Sequence, residues 1–315
     1  MKTRFDNREI QNILQDYDLG ILQNSKEFKE GAVQTNILLQ TTKGKYVLRY
    51  YENRSKEYVL FEVDILHYFH ERKYPCALPI RNIHGSFIGN LYEKPYSIFE
   101  YIEGKHIKKP NSQQYKELVK YLAKLHNLSK GYRPRYWEFR QSHDKQYCWD
   151  TSKIEAKRFG SKSKAKERLN WLKNELNKLS FPNSIPKGVV HCDYDIANIK
   201  FKGNKLSGVL DFDDACYTYL IYDIASLIYY WCWVRVGKLN FQKARNLLKN
   251  YSRYRKLSYA EKQHIFDALK MVSLTYVTWF FYEKYKGKDI LKKSKLELNE
   301  LDQIGKEEFY NRLFD

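Results

Sequence analysis

The sequence predicts an α+β protein with two lobes, a small sheet-forming lobe over residues 1–102 and a larger, mostly α-helical lobe over 103–315. Three observations carry that expectation. The chain has 315 residues, more than the ~250–300 at which a single hydrophobic core stops growing. Short runs rich in β-branched and aromatic residues, joined by turn signals, crowd the first hundred positions. From Ser112 onward, apolar residues recur mostly at helical spacing.

Taken in order, residues 8–17 read as a short amphipathic helix, with Ile10, Ile13 and Leu14 on one side and Gly20 after its end. Small and polar residues from Gly31 to Thr35 lead into an apolar run at 37–39, and Thr42-Lys43-Gly44-Lys45 turns the chain into 46–50. Such an entrance can lay backbone N–H groups over phosphates. A helix follows over 56–71, closed off by Pro75 and Pro79. Strands are expected at 85–89 and 96–102, with a turn at 93–95. Beyond Ser112, Tyr115, Leu118, Leu122 and Leu125 mark one buried helical stripe, and His126 reads as a packed core histidine. Residues 130–160 are aromatic but irregular, and fit either an insertion that shapes a ligand pocket or a satellite core. An amphipathic helix at 163–179 ends at Phe181-Pro182, and 188–190 forms a strand entering His191. Helices are expected at about 223–236, 241–251, 259–285 and 296–312, with 286–295 as a charged connector.

The chemistry concentrates in residues 191–213, HCDYDIANIKFKGNKLSGVLDFD. Two short apolar segments, 199–201 and 206–210, flank Gly203-Asn204, residue types that accept the positive φ of a tight reversal. A hairpin here folds Asn198 back beside Asp211. An amide oxygen and a carboxylate brought together in this way are hard ligands that suit Mg²⁺, which completes its shell with waters and substrate phosphates. Asp193, at the entrance to the same loop, is placed to take a proton from an attacking hydroxyl.

These residues carry a resemblance. His191-Cys192-Asp193, four residues, Asn198, then Asp211-Phe212-Asp213 resembles the HGDxxxxN and DFG-like motifs of the aminoglycoside phosphotransferase and choline kinase family, which is related to protein kinases. Through Ala215, Tyr222-Asp223-Ile224-Ala225 and Trp231-Cys232 the chain looks most like the homoserine kinase branch. Cys192 stands where the family usually has Gly, and Asp195-Ile196-Ala197 replaces a commoner His-Pro-Gly.

The resemblance implies a two-lobed, protein kinase-like fold and an ATP- and Mg²⁺-dependent kinase that phosphorylates a small hydroxyl-bearing acceptor. It implies that Asp193 is the catalytic base and that His191 buttresses its loop. Asn198 and Asp211 hold the metal, and Arg49 grips the α- and β-phosphates with Glu62, or less favourably Glu57, as its helix partner. Gly31 and Thr35 lie over the phosphates, and the backbone from Glu100 to Ile102 meets the adenine. Asp223 braces the catalytic loop. Asp195, Asp213 and Asp214 give the acceptor side an acidic rim that suits an amine, as in homoserine, choline or an aminoglycoside. An antibiotic phosphotransferase is the alternative within the class, and a non-catalytic kinase-like structural protein, such as a spore-coat component, the alternative outside it.

Composition agrees with this and narrows it. Net charge is +19, from 56 Lys and Arg against 37 Asp and Glu, but the excess is mostly Lys scattered over 105–109, 161–167 and 284–295, with no Arg-rich arm, zinc-finger spacing or RNP-like strand. That pattern reads as solvated surface favouring ATP, with no nucleic-acid partner. Cys76, Cys148, Cys192, Cys216 and Cys232 are odd in number and form no CxxC pair, which fits reduced thiols in a cytoplasmic protein better than a disulfide framework or zinc site. The first ten residues lack the apolar core of a signal peptide, and the most apolar stretch, 215–234, carries Asp223 near its middle, so no membrane partner is expected. The chain is expected to act as a monomer or homodimer.

Overall fold

In the computed structural model, which describes residues 2–28, 33–235, 238–281 and 289–314, the elements run α1 (Asn7–Gln15), β1 (Leu22–Glu27), β2 (Thr35–Thr41), β3 (Gly44–Tyr50), α2 (Lys56–Glu71), β4 (Gly89–Leu91), β5 (Lys94–Glu100) and α3 (Ser112–Ser129). They continue as α4 (Lys145–Ala156), α5 (Lys162–Asn177), β6 (Lys187–Val190), β7 (Ile199–Lys202), β8 (Lys205–Val209), β9 (Cys216–Tyr219), α6 (Ile221–Cys232), β10 (Trp233–Arg235) and β11 (Lys238–Leu239). The chain closes with α7 (Phe241–Ser252), α8 (Tyr259–Gln263), α9 (Ile265–Trp279), α10 (Ile290–Ile304) and α11 (Lys306–Phe314). It divides into two compact units, one of Met1–Gln114, Pro134–Arg140 and Ile196–Asp213, the other of Tyr115–Arg133, Gln141–Asp195 and Asp214–Asp315.

The first unit is built on an antiparallel sheet in the order β1-β2-β3-β5-β4. Alternation along β2 and β3 sends Ile37, Leu39, Leu48 and Tyr50 to one face, where they form a core with Ile10, Ile13 and Leu14 of α1 and with Tyr96 and Ile98 of β5. A capping box between Asp6 and Glu9 starts α1, and Ser55 caps α2. The β7–β8 hairpin belongs to this unit. Lys105 and Phe201 exchange main-chain hydrogen bonds of 2.9 and 3.0 Å, and the Val209 N–H donates to the Pro75 carbonyl at 2.7 Å.

The second unit is helical around α6 and α9, whose residues are apolar and buried on nearly every side, as expected of central helices. Tyr229 of α6 stacks on Tyr276 of α9 with centroids 5.4 Å apart. Here β6 pairs with β9, setting Val190 opposite Cys216.

The structure corrects several expected elements. Residues 85–88 are not a strand, because the Asn82 Oδ1 accepts from the N–H groups of His84 and Ser86 and folds the segment into a turn. The helix expected over 259–285 is two, α8 and α9, with His264 at the junction, and its last residues fall outside the described ones. The helix expected over 296–312 breaks at Gly305, whose φ is 74°, and begins earlier, so that 290–295 is helical and not a connector. Within 130–160 a helix, α4, is capped by Asp144 but buries only Cys148 and Ser152, too few to show as periodicity. Strand β1 is a polar edge strand with no apolar alternation to announce it. The helix opening near Asp223 ends at Cys232, short of 236, which lies outside the described residues. Among the described residues no helix is long and apolar enough to cross a membrane.

Candidate active site

In the first unit Arg49 is the centre of charge. Its position on β3, opposite Asn36 on β2 and Ser97 on β5, follows from the sheet register. The guanidinium donates from Nε to Asn36 Oδ1 at 2.9 Å, from Nη1 to Glu62 Oε1 at 3.1 Å, and lies 3.2 Å from Asp211 Oδ1 through Nη2. Burial alone disfavours the charged guanidinium, but Asp211 and Glu62 more than offset it and hold its pKa above the ordinary value. Glu62 is 2% exposed and also accepts from the Tyr51 hydroxyl at 2.9 Å. Burial pushes its carboxyl up against the pull of Arg49. Asp211, by contrast, is 43% exposed.

The hairpin that carries Asp211 forms as the residues require. Gly203 takes φ 59° at the reversal, and the ladder ends with the Leu210 N–H donating to the Asn198 carbonyl at 2.8 Å. Asn198 and the residue before Asp211 are therefore hydrogen-bonded neighbours at the open end of the hairpin. Asp211 itself has φ 63°, a left-handed conformation that Asp tolerates better than most residues.

In the second unit β6 delivers His191-Cys192-Asp193 into a loop held from beneath by Asp223. Fully buried at the start of α6, Asp223 accepts from two consecutive amides, the His191 N–H at Oδ2 (2.8 Å) and the Cys192 N–H at Oδ1 (2.9 Å). The His126 Nε2 is 3.1 Å from Oδ2, and its Nδ1 is 2.6 Å from the Tyr251 hydroxyl. Burial opposes the charge on Asp223, but His126 and the loop hold its carboxyl below the ordinary range. His126 is pushed down by burial first, which keeps it neutral with the proton on Nε2 facing Asp223. Arg255 extends the chain, donating to the Tyr251 hydroxyl at 3.2 Å and pairing with Glu261 at 2.8 Å. Asp193, next along the loop, is half-buried.

A model of the phosphotransferase enzyme family matches residues 25–257. The homoserine kinase of Sinorhizobium fredii is 32% identical over 256 residues, 80% of this chain and 77% of that protein. The homoserine kinase of Caulobacter vibrioides is 33% identical over 270 residues, 83% of this chain and 82% of that one. The chain belongs to the phosphotransferase enzyme family. It is an ATP-dependent kinase of small molecules with a hydroxyl acceptor. Two solved structures share its protein kinase-like fold: an amicoumacin kinase in complex with AMP-PNP and Ca²⁺ (TM-score 0.70, 18% identity, 95% of this chain and 93% of that chain) and a microcompartment-associated aminopropanol kinase (TM-score 0.63, 14% identity, 94% and 95%).

The other expected site residues of this phosphotransferase fall out unevenly. Gly31 lies outside the described residues. Thr35 is buried at the start of β2, its hydroxyl donating to Glu52 Oε1 at 2.7 Å. At the end of β5 the Glu100 N–H donates to the Leu78 carbonyl at 3.0 Å, and the Ile102 carbonyl accepts from Lys200 Nζ at 2.7 Å. Asp213, expected on an acidic rim, is instead buried within the first unit, where Arg54 forks onto it at 3.2 and 2.7 Å and Gln34 donates at 3.1 Å. Burial opposes its charge, but Arg54 holds its carboxyl below the ordinary range. Asp214 begins the second unit's last segment and lies within electrostatic reach of Cys192 and Tyr147. Asp195 is half-buried and accepts from the Trp231 indole N–H at 3.3 Å.

Sequence reading missed Arg54, Arg140 and Tyr230. Arg140 donates to the main-chain carbonyls of Asp213 and Phe212 and stacks over Tyr58 at 3.7 Å, in a segment whose spacing shows nothing. Tyr230 hydrogen-bonds the Tyr276 hydroxyl, and its phenol is pushed up by burial, then by Tyr276 and Asp193. Its only signal was its place beside Trp231 in an apolar helix.

Proposed function

We propose that this phosphotransferase moves the γ-phosphoryl group of ATP onto the hydroxyl of homoserine. Homoserine kinases above 30% identity over four-fifths of the chain support the acceptor. Asp195, half-buried and oriented by Trp231, suits the amine of that substrate.

Asp193 is the base. It accepts the hydroxyl proton as the acceptor oxygen bonds to the γ-phosphorus and the bond to the β-phosphate oxygen breaks, leaving ADP. The observation that carries this role is the capture of the His191 and Cys192 amides by Asp223, which fixes the backbone immediately before Asp193. His191 is fully buried with its ring against Tyr194, so it supports the loop and transfers no proton. Arg49 neutralises nucleotide phosphates and is kept charged and aimed by Glu62. Asn198 and Asp211 fit a Mg²⁺ ion: an amide and an exposed carboxylate at one hairpin end are hard oxygen donors. When bound, the ion offsets charge on the transferring phosphoryl group. Main-chain groups of 100–102 meet the adenine, and Thr35 supports the phosphate-side strand through Glu52. Five free cysteines support a cytoplasmic location.

The test is a comparison of ATP consumption with homoserine, amino alcohols, sugars and aminoglycosides. Homoserine should give the highest kcat/KM, and Asp195→Asn should raise its KM ~10–100-fold, the loss of a charged hydrogen bond. A higher kcat/KM with an aminoglycoside would overturn the acceptor assignment.

A further inference from the structure

Beside the loop lies a cluster that phosphoryl transfer does not use. Cys192 Sγ is 3.5 Å from Cys216 Sγ, and a ring nitrogen of His143 joins them, all three atoms within 4.8 Å of one another. The three side chains are buried and come from separate segments: the loop after β6, the start of β9 and the approach to α4. We propose that Cys192, Cys216 and His143 form a binding site for a thiophilic divalent cation of the zinc class.

The spacing fits. With zinc–sulfur bonds of about 2.3 Å and tetrahedral angles, two thiolates stand about 3.8 Å apart, a few tenths of an ångström from the separation seen here. Closing the imidazole nitrogen onto the same centre takes a movement of up to about 1.2 Å. The donor types also fit, since thiolate and imidazole select zinc over the hard ions that carboxylates and amides hold. Burial pushes the Cys192 thiol well above its ordinary range, a cost that a bound cation has to offset. A divalent cation displaces both thiol protons, M²⁺ + 2 RSH → M(SR)₂ + 2 H⁺, and leaves the buried group neutral.

Two further features support a built site. Cys192 has φ 66°, a conformation in which side chains are uncommon, so a sulfur is presented where the backbone by itself favours glycine. The His143 ring is set by Tyr147, Trp279 and Tyr222, with centroids at 5.1, 5.4 and 5.8 Å. Nothing here depends on which acceptor the enzyme uses.

The test uses the full-length protein, reduced and stripped with a chelator, titrated with Co²⁺ and then challenged with Zn²⁺. One Co²⁺ per chain should bind with thiolate-to-cobalt charge-transfer absorption, Zn²⁺ should displace it, and a pH indicator should register the released protons. Cys192→Gly, which suits the positive φ, and Cys216→Ala should abolish the band, and His143→Gln should weaken Zn²⁺ binding by ~10–100-fold or more. Absence of the band in the wild-type protein overturns the proposal, as does a band undiminished in Cys192→Gly. If Cys216→Ala does not fold, the wild type and Cys192→Gly decide between them.

Discussion

The open end of the β7–β8 hairpin and the loop after β6 hold their acids in opposite ways. At the hairpin, Asp211 is exposed and shares one cation, Arg49, with the buried Glu62. Those are side-chain contacts, so the guanidinium can release Asp211 without leaving Glu62. In the loop, the fixed group is the backbone itself, gripped through two amides by a carboxylate with no solvent access. Nothing is exchangeable there. The difference teaches that a side-chain pair at an accessible acid can change partners, whereas a loop whose amides are held by a buried carboxylate keeps its main chain fixed, as the base proposed for Asp193 requires.

The largest effect expected is from Asp193→Ala. It should lower kcat by about 10²–10⁴-fold, the usual worth of a positioned base. Its thermal midpoint and ATP binding should stay near those of the wild type, because the braced amides precede it. Near-normal turnover would remove Asp193 from the mechanism. Next is Asp223→Asn, which faces two amide donors with a neutral group that can point only one oxygen at them. A loss of about 3–5 kcal/mol in a urea titration is expected, as for breaking a buried charged network. A loss below about 1 kcal/mol would mean that the loop is held by something else.

A third experiment turns on acid. Asp213 and Asp223 both have carboxyl pKa values below the ordinary 3.8. Lowered folded-state values mean that their contribution is complete above the unfolded pKa and is lost as pH falls through the folded one, so acid unfolding should set in below about pH 4. Arg54→Met leaves Asp213 buried without its fork, and its unfolding curve should move to higher pH by circular dichroism. An unmoved curve would show that Gln34 and Arg140 suffice. The smallest effect belongs to Cys192→Gly. Relief of the left-handed backbone and the added freedom of the unfolded chain nearly cancel, so stability should change by less than about 1 kcal/mol.

Much of the site could be read from residues close together in the chain. Gly203-Asn204 between two apolar segments announced the hairpin, because a tight turn is a local backbone problem. Asp213 was misread for the opposite reason. An acid next to Asp211 and Asp214 looks like part of an acidic rim, and only packing in the first unit brings Arg54 to it from 159 positions away. The departure at Cys192 is explained by the same distinction. The family's usual Gly meets a positive φ, yet which sulfur and imidazole stand beside the substituted side chain is set by β6–β9 pairing and by a helix approach about fifty residues upstream.

By itself, then, the sequence determined most strand and helix periodicities, the reversal, and the order of Asp193, Asn198 and Asp211 along the chain, all governed by neighbours a few residues apart. Tertiary structure alone decided which charges are buried and with whom. Arg54 with Asp213, His126 and Tyr251 behind Asp223, and three soft donors at one point each depend on segments folding together, and the cost of burying an unpaired charge or polar group is what selects those pairings.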